Sequence, residues 1–269
     1  MQVHSIIING NPNDSVSSLD RGLLYGDGVF ETIAFKNSQL QFWNEHIDRL
    51  QHGCNVLAIA NVDGQLLRNE IEQLIDDDEQ CVFKIIITRG LGQRGYKPTQ
   101  QPPTRIIQKF PYPSFPSIYT EDGIDVTLCE YQLSKQTKLS KIKHLNRLEQ
   151  ILSRAEWDDE FQEGLVCDVN NCVIEATSSN VFFENNHTLF TPNLNACGVE
   201  GVLRNAVLQF CKNNDIKFEI RDIKLDEIEN ITSMFVCNSI IGVWPVRSFN
   251  KRPMNKTAII MRLMSEFNF

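Results

Sequence analysis

The stretch "FPYPSFPSIYTEDG", residues 110–123, constrains this chain more than any other. It holds three prolines and few helix formers. Proline stiffens the backbone, lacks an N–H and blocks continuation of a helix. A boundary is expected there: an N-terminal domain over 1–113, a linker over 114–122 and a larger domain over 123–269. A chain of 269 residues has room for two ordinary domains.

On either side, strand-like and helix-like stretches mix without strict alternation, which argues against a doubly wound parallel sheet. Before the break, "SIIING" and "GVFETIAFKNSQLQFW" read as strands, the second a hairpin turning at Lys36–Ser38. Asn44 is the expected N-cap of a helix carrying Ile47, Leu50, Cys54 and Leu57. A second helix is expected over about 65–75, ending in the acidic run at 76–79. "CVFKIIITRG" and "TRIIQKF" follow as strands. After the break, "DVTLCEY" reads as a strand, and "SKIKHLNRLEQILSRAEW" (140–157) as a helix with Ile142, Leu145, Leu148, Leu152 and Ala155 on its buried stripe. Two hairpins are expected to turn at Asn170–Asn171 and Asn185–Asn186, because asparagine tolerates left-handed backbone. A helix is predicted from Val202 to Asn213, then strands "SMFVCNS" and "GVWPVRSF", and an amphipathic helix closes the chain. The fold class is thus a mixed α+β, α/β type.

A net charge of −8 argues against a broad nucleic-acid surface, which needs clustered Lys and Arg. An anionic ligand would need a local basic pocket. The eight cysteines show no Cys-x-x-Cys spacing and several fall in strand-like runs, so reduced, mostly buried thiols and a cytoplasmic setting are expected. "MQVHSIIINGNPND" has no basic segment, and its apolar run is too short for a secretory signal. No stretch approaches a membrane span, and the five histidines show no metal-ligand pattern.

Five stretches could carry chemistry. "LDRGLLYGDGVFETI" (19–33) packs glycines between strand-like segments, where a turn or close backbone approach would use them. Arg49 lies on an otherwise amphipathic helix, where an exposed ion pair is expected. "ITRGLGQRGY" (87–96) sends a strand into a glycine-rich loop whose arginines suit a carboxylate or simple solvation. Glu175, at a strand end in "VIEATSSN", needs a partner if buried. "GVEGVLRNAV" (198–207) sets a glycine before a helix start, where free N–H groups attract anions. Lys143 sits one step off the stripe of its helix and would by itself pass for a solvated lysine.

In this order, these stretches resemble the fold-type-IV family of pyridoxal-phosphate enzymes, from "NGNPNDSVSSLDRGLLYGDGVFET" to "WPV". The family includes D-amino-acid and branched-chain aminotransferases and the aminodeoxychorismate lyases. "IKHLNRLEQ" with "RGLGQRGY" looks most like the lyases. The resemblance implies a two-domain D-amino-acid aminotransferase-like fold: a smaller N-terminal α/β domain and a larger, β-barrel-like C-terminal domain with helices. It also implies the cofactor pyridoxal 5′-phosphate and a homodimer, with no nucleic-acid or membrane partner.

By the same resemblance, Lys143 forms the Schiff base with the cofactor and acts as general base. Glu175 faces the pyridine nitrogen. Arg49, the backbone of Val202 and Leu203, and the turn at Asn238 and Ser239 hold the phosphate. Arg94, Tyr96 and Lys97 fall in the substrate-reading loop. Phe30 stands where aminotransferases often carry tyrosine, which removes a hydroxyl from the substrate side. The implied reaction converts 4-amino-4-deoxychorismate to 4-aminobenzoate and pyruvate, a step of folate biosynthesis. The alternative is transamination of D- or branched-chain amino acids.

Overall fold

The computed structural model describes residues 5–12, 15–76, 80–98 and 100–268. Positions 77–79 of the acidic run, and 1–4 and 13–14 of the N-terminal stretch, lie outside the described residues. The chain divides into two units: Met1–Ser114 with Ile142–Asn146, and Phe115–Lys141 with Arg147–Phe269.

The first unit contains β1 (Ser5–Ile8), β2 (Asn11–Pro12), α1 (Arg21–Tyr25), β3 (Gly28–Lys36), β4 (Gln39–Leu40), α2 (Trp43–Leu57), α3 (Gly64–Glu72), β5 (Cys81–Thr88) and β6 (Thr104–Pro111). Its antiparallel sheet runs β2-β1-β6-β5-β3-β4. Asn37 and Ser38 both have positive φ and close the β3–β4 hairpin, the backbone that matches strand twist in a two-residue turn. Val29, Ile33 and Phe35 of β3 pack with Ile47 and Leu50 of α2 and Leu67 and Ile71 of α3. That apolar face explains why two short helices stay docked on the sheet.

The second unit contains α4 (Ile118–Glu121), β7 (Ile124–Leu133), α5 (Leu148–Arg154), β8 (Glu163–Asp168), β9 (Val173–Ala176), β10 (Asn180–Asn185), β11 (Thr188–Pro192), α6 (Val202–Asn213), β12 (Phe218–Arg221), β13 (Ser233–Asn238), β14 (Gly242–Phe249), β15 (Arg252–Pro253) and α7 (Ala258–Phe267). Its mixed sheet runs β12-β11-β10-β13-β14-β7-β8-β9, with β15 on β14. The tight turn after β9, where the Ala176 N–H donates to the Ser179 carbonyl, leads straight into β10. The sheet therefore curls into a half-barrel around Val181, Phe183, Met234, Val236 and Trp244. A smaller unit with an antiparallel sheet and helices and a larger unit with a curled sheet and helices are what the sequence led one to expect.

Three local expectations are corrected. Residues 140–157 do not form one helix. Only 148–154 are helical, while 142–146 are extended against β3. Phe30 N–H donates to the Lys143 carbonyl at 2.9 Å, and Leu145 N–H to the Gly28 carbonyl at 3.0 Å. Gly28 permits this approach: a Cβ there would meet Leu145 Cδ1 at 2.7 Å. The expected stripe splits accordingly. Ile142 is buried, whereas Leu148, Leu152 and Ala155 are exposed.

Asn44 is not a cap. α2 begins at Trp43 behind Phe42, whose left-handed backbone turns β4 directly into the helix. The later hairpin turns at Asn186–His187, one residue beyond expectation, because Asn185 pairs with Thr188.

Candidate active site

In the first unit, β3 sends alternate side chains to opposite faces. Phe30 and Thr32 point away from the helices and are partly exposed. The extended segment 142–146 brings Lys143 Nζ to 4.6 Å from the centroid of the Phe30 ring. Lys84 of β5 reaches the same ring, with Nζ at 5.3 Å. Burial holds the Lys84 ammonium below its ordinary pKa. Among the described residues Lys84 makes no ion pair. An amine that must be neutral to attack an aldehyde is helped by a cation and an apolar ring beside it. Lys84 was not foreseen; its one signal was that it shares a face with Ile86 in an otherwise buried strand.

On the opposite face, Glu31 lies in the core row of Val29 and Ile33, fully buried. Arg49 Nε and Nη2 donate to its two carboxylate oxygens at 2.7 and 2.5 Å. His46 Nδ1 is 2.6 Å from Oε2. Burial opposes the Glu31 charge, but the Arg49 charge and hydrogen bonds, with His46, outweigh it and bring its pKa down to about 2. Arg49 is thus neither solvated nor on the surface. It is oriented by a bidentate pair that reasoning along the helix alone missed.

Arg94, Tyr96 and Lys97 lie on the loop after β5, all exposed. Arg89 is structural: its guanidinium donates to Asp27 and to the carbonyls of Leu57 and Ala58.

In the second unit, Glu175 occupies β9 and is buried. Its Oε2 accepts the Val199 N–H at 2.8 Å. Asn180 Nδ2 donates to the Val199 carbonyl at 2.9 Å, so both main-chain polar groups of Val199 are held. Arg147 is half-buried; burial lowers its pKa while the Glu175 charge raises it. A carboxylate held by a backbone N–H is the kind of acceptor that a protonated ring nitrogen requires.

α6 starts at Val202, and its cap residue, Gly201, offers no side chain to the first-turn N–H groups. A Cβ at Gly201 would lie 2.0 Å from Asn180 Oδ1. Val202 and Leu203 are buried at this start. Arg204 lies beneath it, its Nη2 donating to the Pro192 carbonyl and its buried Nε without a partner among the described residues. The donor set, with a helix dipole and a cation at one end, fits a phosphate.

Asn238 Oδ1 accepts the N–H groups of Ile240 and Ile241 and its Nδ2 donates to Ser179 Oγ, so the turn that includes Ser239 is fixed. Ser178 and Ser179 in turn donate to Glu163, a buried anchor the sequence did not reveal. In the first unit the lysine fits the aldehyde of pyridoxal 5′-phosphate; in the second unit the acid fits its pyridine nitrogen and the helix start its phosphate. Lys143, Phe30, Arg49 and the basic loop belong to the first unit; Glu175, Val202, Leu203, Asn238 and Ser239 to the second.

All eight cysteines are buried, and none forms a disulfide among the described residues. Among the described residues no helix is long and apolar enough to cross a membrane, and no His/Cys/Asp/Glu cluster could hold a metal.

Known proteins were compared with this arrangement. The family model for amino-transferase class IV matches residues 28–249. An aminodeoxychorismate lyase from Vibrio harveyi is 35% identical over 251 residues, 93% of this chain and 92% of that protein. A D-alanine aminotransferase from Bacillus licheniformis is 26% identical over 250 residues, 89% and 84% of the two. The crystal structure of 4-amino-4-deoxychorismate lyase from Pseudomonas aeruginosa superposes with a TM-score of 0.92 at 37% identity, covering 97% of each chain. A branched-chain amino acid aminotransferase from Escherichia coli shares the fold, with a TM-score of 0.85 at 20% identity over 98% and 92% of the chains.

Proposed function

The chain belongs to the aminotransferase class IV family, whose cofactor is pyridoxal 5′-phosphate, and on that premise we propose that it converts 4-amino-4-deoxychorismate to 4-aminobenzoate and pyruvate. The observation that carries the lyase reading is the ring of Phe30 at 4.6 Å from Lys143 Nζ, a contact without a hydroxyl. The likeness to the lyases over nearly the whole chain supports it.

The bound cofactor supplies a sink for the electron pair of the substrate's amine-bearing carbon. Lys143 Nζ is the amine for the cofactor's aldehyde. When not engaged with that aldehyde, Nζ would be the base for the proton on the substrate's amine-bearing ring carbon. Breaking the ring C–O bond would release the side chain as enolpyruvate, which takes up one proton, matching the one lost from the ring carbon, to become pyruvate; the ring left behind is aromatic, which drives the reaction forward. Glu175 keeps a proton on the pyridine nitrogen by holding negative charge against it. Arg49, oriented by Glu31, binds the phosphate with the first N–H groups of α6 and the turn at Asn238 and Ser239. Arg94 and Lys97, with Tyr96 beside them, gather the two substrate carboxylates on a chain whose net charge is −8.

The second reading, transamination of D- or branched-chain amino acids, is favoured by the aminotransferases among the relatives. It would use the same Lys143 and Glu175. Pyruvate release from aminodeoxychorismate without any amino acceptor decides between them, since a lyase needs no second substrate. Lys143→Ala should abolish both that release and the cofactor–lysine absorbance. Release that needs a keto acid would support the aminotransferase instead.

A homodimer belongs to the same proposal. α5 turns Leu148, Ile151 and Leu152 to solvent, 72%, 60% and 52% exposed. A second copy of the chain would cover such a face. Light scattering at micromolar concentration should give twice the chain mass.

A further inference from the structure

The loop at 91–97 displays Arg94, Tyr96 and Lys97, while its backbone at Gly95 and Tyr96 is held by two side chains, Arg21 and Tyr25. Arg21, at the start of α1, is 4% exposed. Its Nη1 donates to the Gly95 carbonyl at 3.0 Å and its Nη2 to the Tyr96 carbonyl at 3.3 Å. Its Nε donates to Asp27 Oδ2 at 2.9 Å. Its guanidinium carbon lies 4.7 Å from the Tyr25 ring centroid. The Tyr25 hydroxyl accepts the Gly95 N–H at 3.1 Å, and the Tyr25 ring meets Tyr96 edge-on at 5.6 Å. At Gly92 the loop lies against the same side chain: a Cβ there would come within 2.6 Å of Arg21 Cγ.

The anchor is itself anchored. Asp27 also accepts two N–H groups of Arg89, at 2.7 and 3.0 Å, and Arg89 is tied to the end of α2 through the Leu57 and Ala58 carbonyls. Burial raises the Asp27 pKa, but hydrogen bonds from Arg89 and Arg21 overcome it and keep the carboxyl ionised. The contrast within the loop is the informative point. Gly95 and Tyr96 are fixed by their main chain, yet nothing lies within 4 Å of a Cβ built at Gly95, and the Tyr96 side chain is 86% exposed. A planar, permanently charged fork is the side chain that can hold two successive carbonyls and a carboxylate together. Such a tether is useful for side chains that must be presented in a set place.

We propose that Arg21 is the positioning residue of the 91–97 loop, fixing its backbone so that Arg94 and Lys97 meet the carboxylates of the anionic substrate. Arg21 does not touch substrate; it sets substrate affinity through Gly95 and Tyr96. This rests on the substrate role given above to the loop.

Trypsin reads the loop directly. Arg94–Gly95 is a cleavable bond inside it, whereas Pro98 protects the bond after Lys97. With cofactor-loaded protein, Arg21→Met should be cut after Arg94 about tenfold faster than wild type, with cleavage elsewhere unchanged. Arg21→Lys, whose single ammonium cannot span both carbonyls, should be cut nearly as fast. Its KM for aminodeoxychorismate should rise about tenfold in step with Arg21→Met, with kcat within about twofold and the cofactor absorbance unaltered. Should Arg21→Met fail to fold, Tyr25→Phe removes only the acceptor of the Gly95 N–H and should show the same two effects, each about threefold. Equal cleavage rates in wild type and variants overturn the proposal. So does a fall in kcat with KM unchanged. A wild-type enzyme inert toward aminodeoxychorismate would sink the proposed reaction, and the cleavage ratio would still judge the tether.

Discussion

Lys143 Nζ stands 4.6 Å from the centre of the Phe30 ring, and the ring is shared with a second ammonium, that of Lys84, at 5.3 Å. Removing the Lys84 charge stabilises the protonated form of any amine beside it. Lys84→Met should therefore move the acid limb of the kcat/KM profile to higher pH by roughly half a unit to one unit. An unmoved limb would show that Lys84 is electrostatically uncoupled from the reacting amine.

Glu175→Gln keeps an oxygen for the Val199 N–H but removes the charge. The fold should persist, with Tm within a few degrees, while kcat falls by about a hundredfold or more. Wild-type kcat in this variant would mean that the acid braces the Val199 backbone and nothing else.

Glu31 gives the sharpest pH dependence. Its folded pKa, about 2, lies below the ordinary value of 4.5. The stabilisation it contributes is complete above about pH 4.5 and is lost as pH falls toward 2. Its upper bound is about 3 kcal/mol. Urea melts between pH 7 and 3 should show wild type losing stability across that window. Glu31→Gln, which leaves Arg49 and His46 without their counter-charge, should be less stable at pH 7 by about 3 kcal/mol and flatter with pH.

Gly201→Ala tests the helix-start cradle. The added methyl would sit 2.0 Å from Asn180 Oδ1, so Asn180 must swing away from the Val199 carbonyl. Cofactor affinity, measured by equilibrium dialysis, should fall about tenfold or more, with a smaller loss of Tm.

The thiols supply a test of burial. Burial pushes the pKa of Cys129, Cys167, Cys197 and Cys237 up to about 12. Since the thiolate is the nucleophile, iodoacetamide at pH 8 should leave these four unmodified in the folded protein. In denaturant all eight should react, as mass spectrometry would count.

These residues also mark how far the sequence could be read. Segments whose structure is set locally were legible. α6 spans 202–213 as its periodicity predicts, and Asn171 takes the left-handed backbone expected of its hairpin. Lys143 was singled out by its motif, but its conformation was not legible. The spacing of Ile142, Leu145, Leu148 and Leu152 mimics a helix, whereas the pairing that decides the matter involves Gly28 and Phe30, more than a hundred residues earlier. No local pattern reports such a partner. Arg49 was placed on the correct helix, yet its bidentate acceptor lies on a strand, a relation that appears only after β3 and α2 pack together. Arg21, buried though charged, looked like part of a turn because its partners in the loop, the Gly95 and Tyr96 carbonyls, are main-chain atoms, which carry no sequence signature.

One consequence follows from Ile142–Asn146 counting with the first unit. The polypeptide passes between the two units three times, so the proline-rich stretch is not a seam at which the gene can be cut. A fragment ending at Ser114 would lack the segment whose Lys143 carbonyl accepts the Phe30 N–H and whose Leu145 N–H donates to the Gly28 carbonyl. It would expose a raw sheet edge and aggregate, and only a complementing piece carrying 142–146 could heal it.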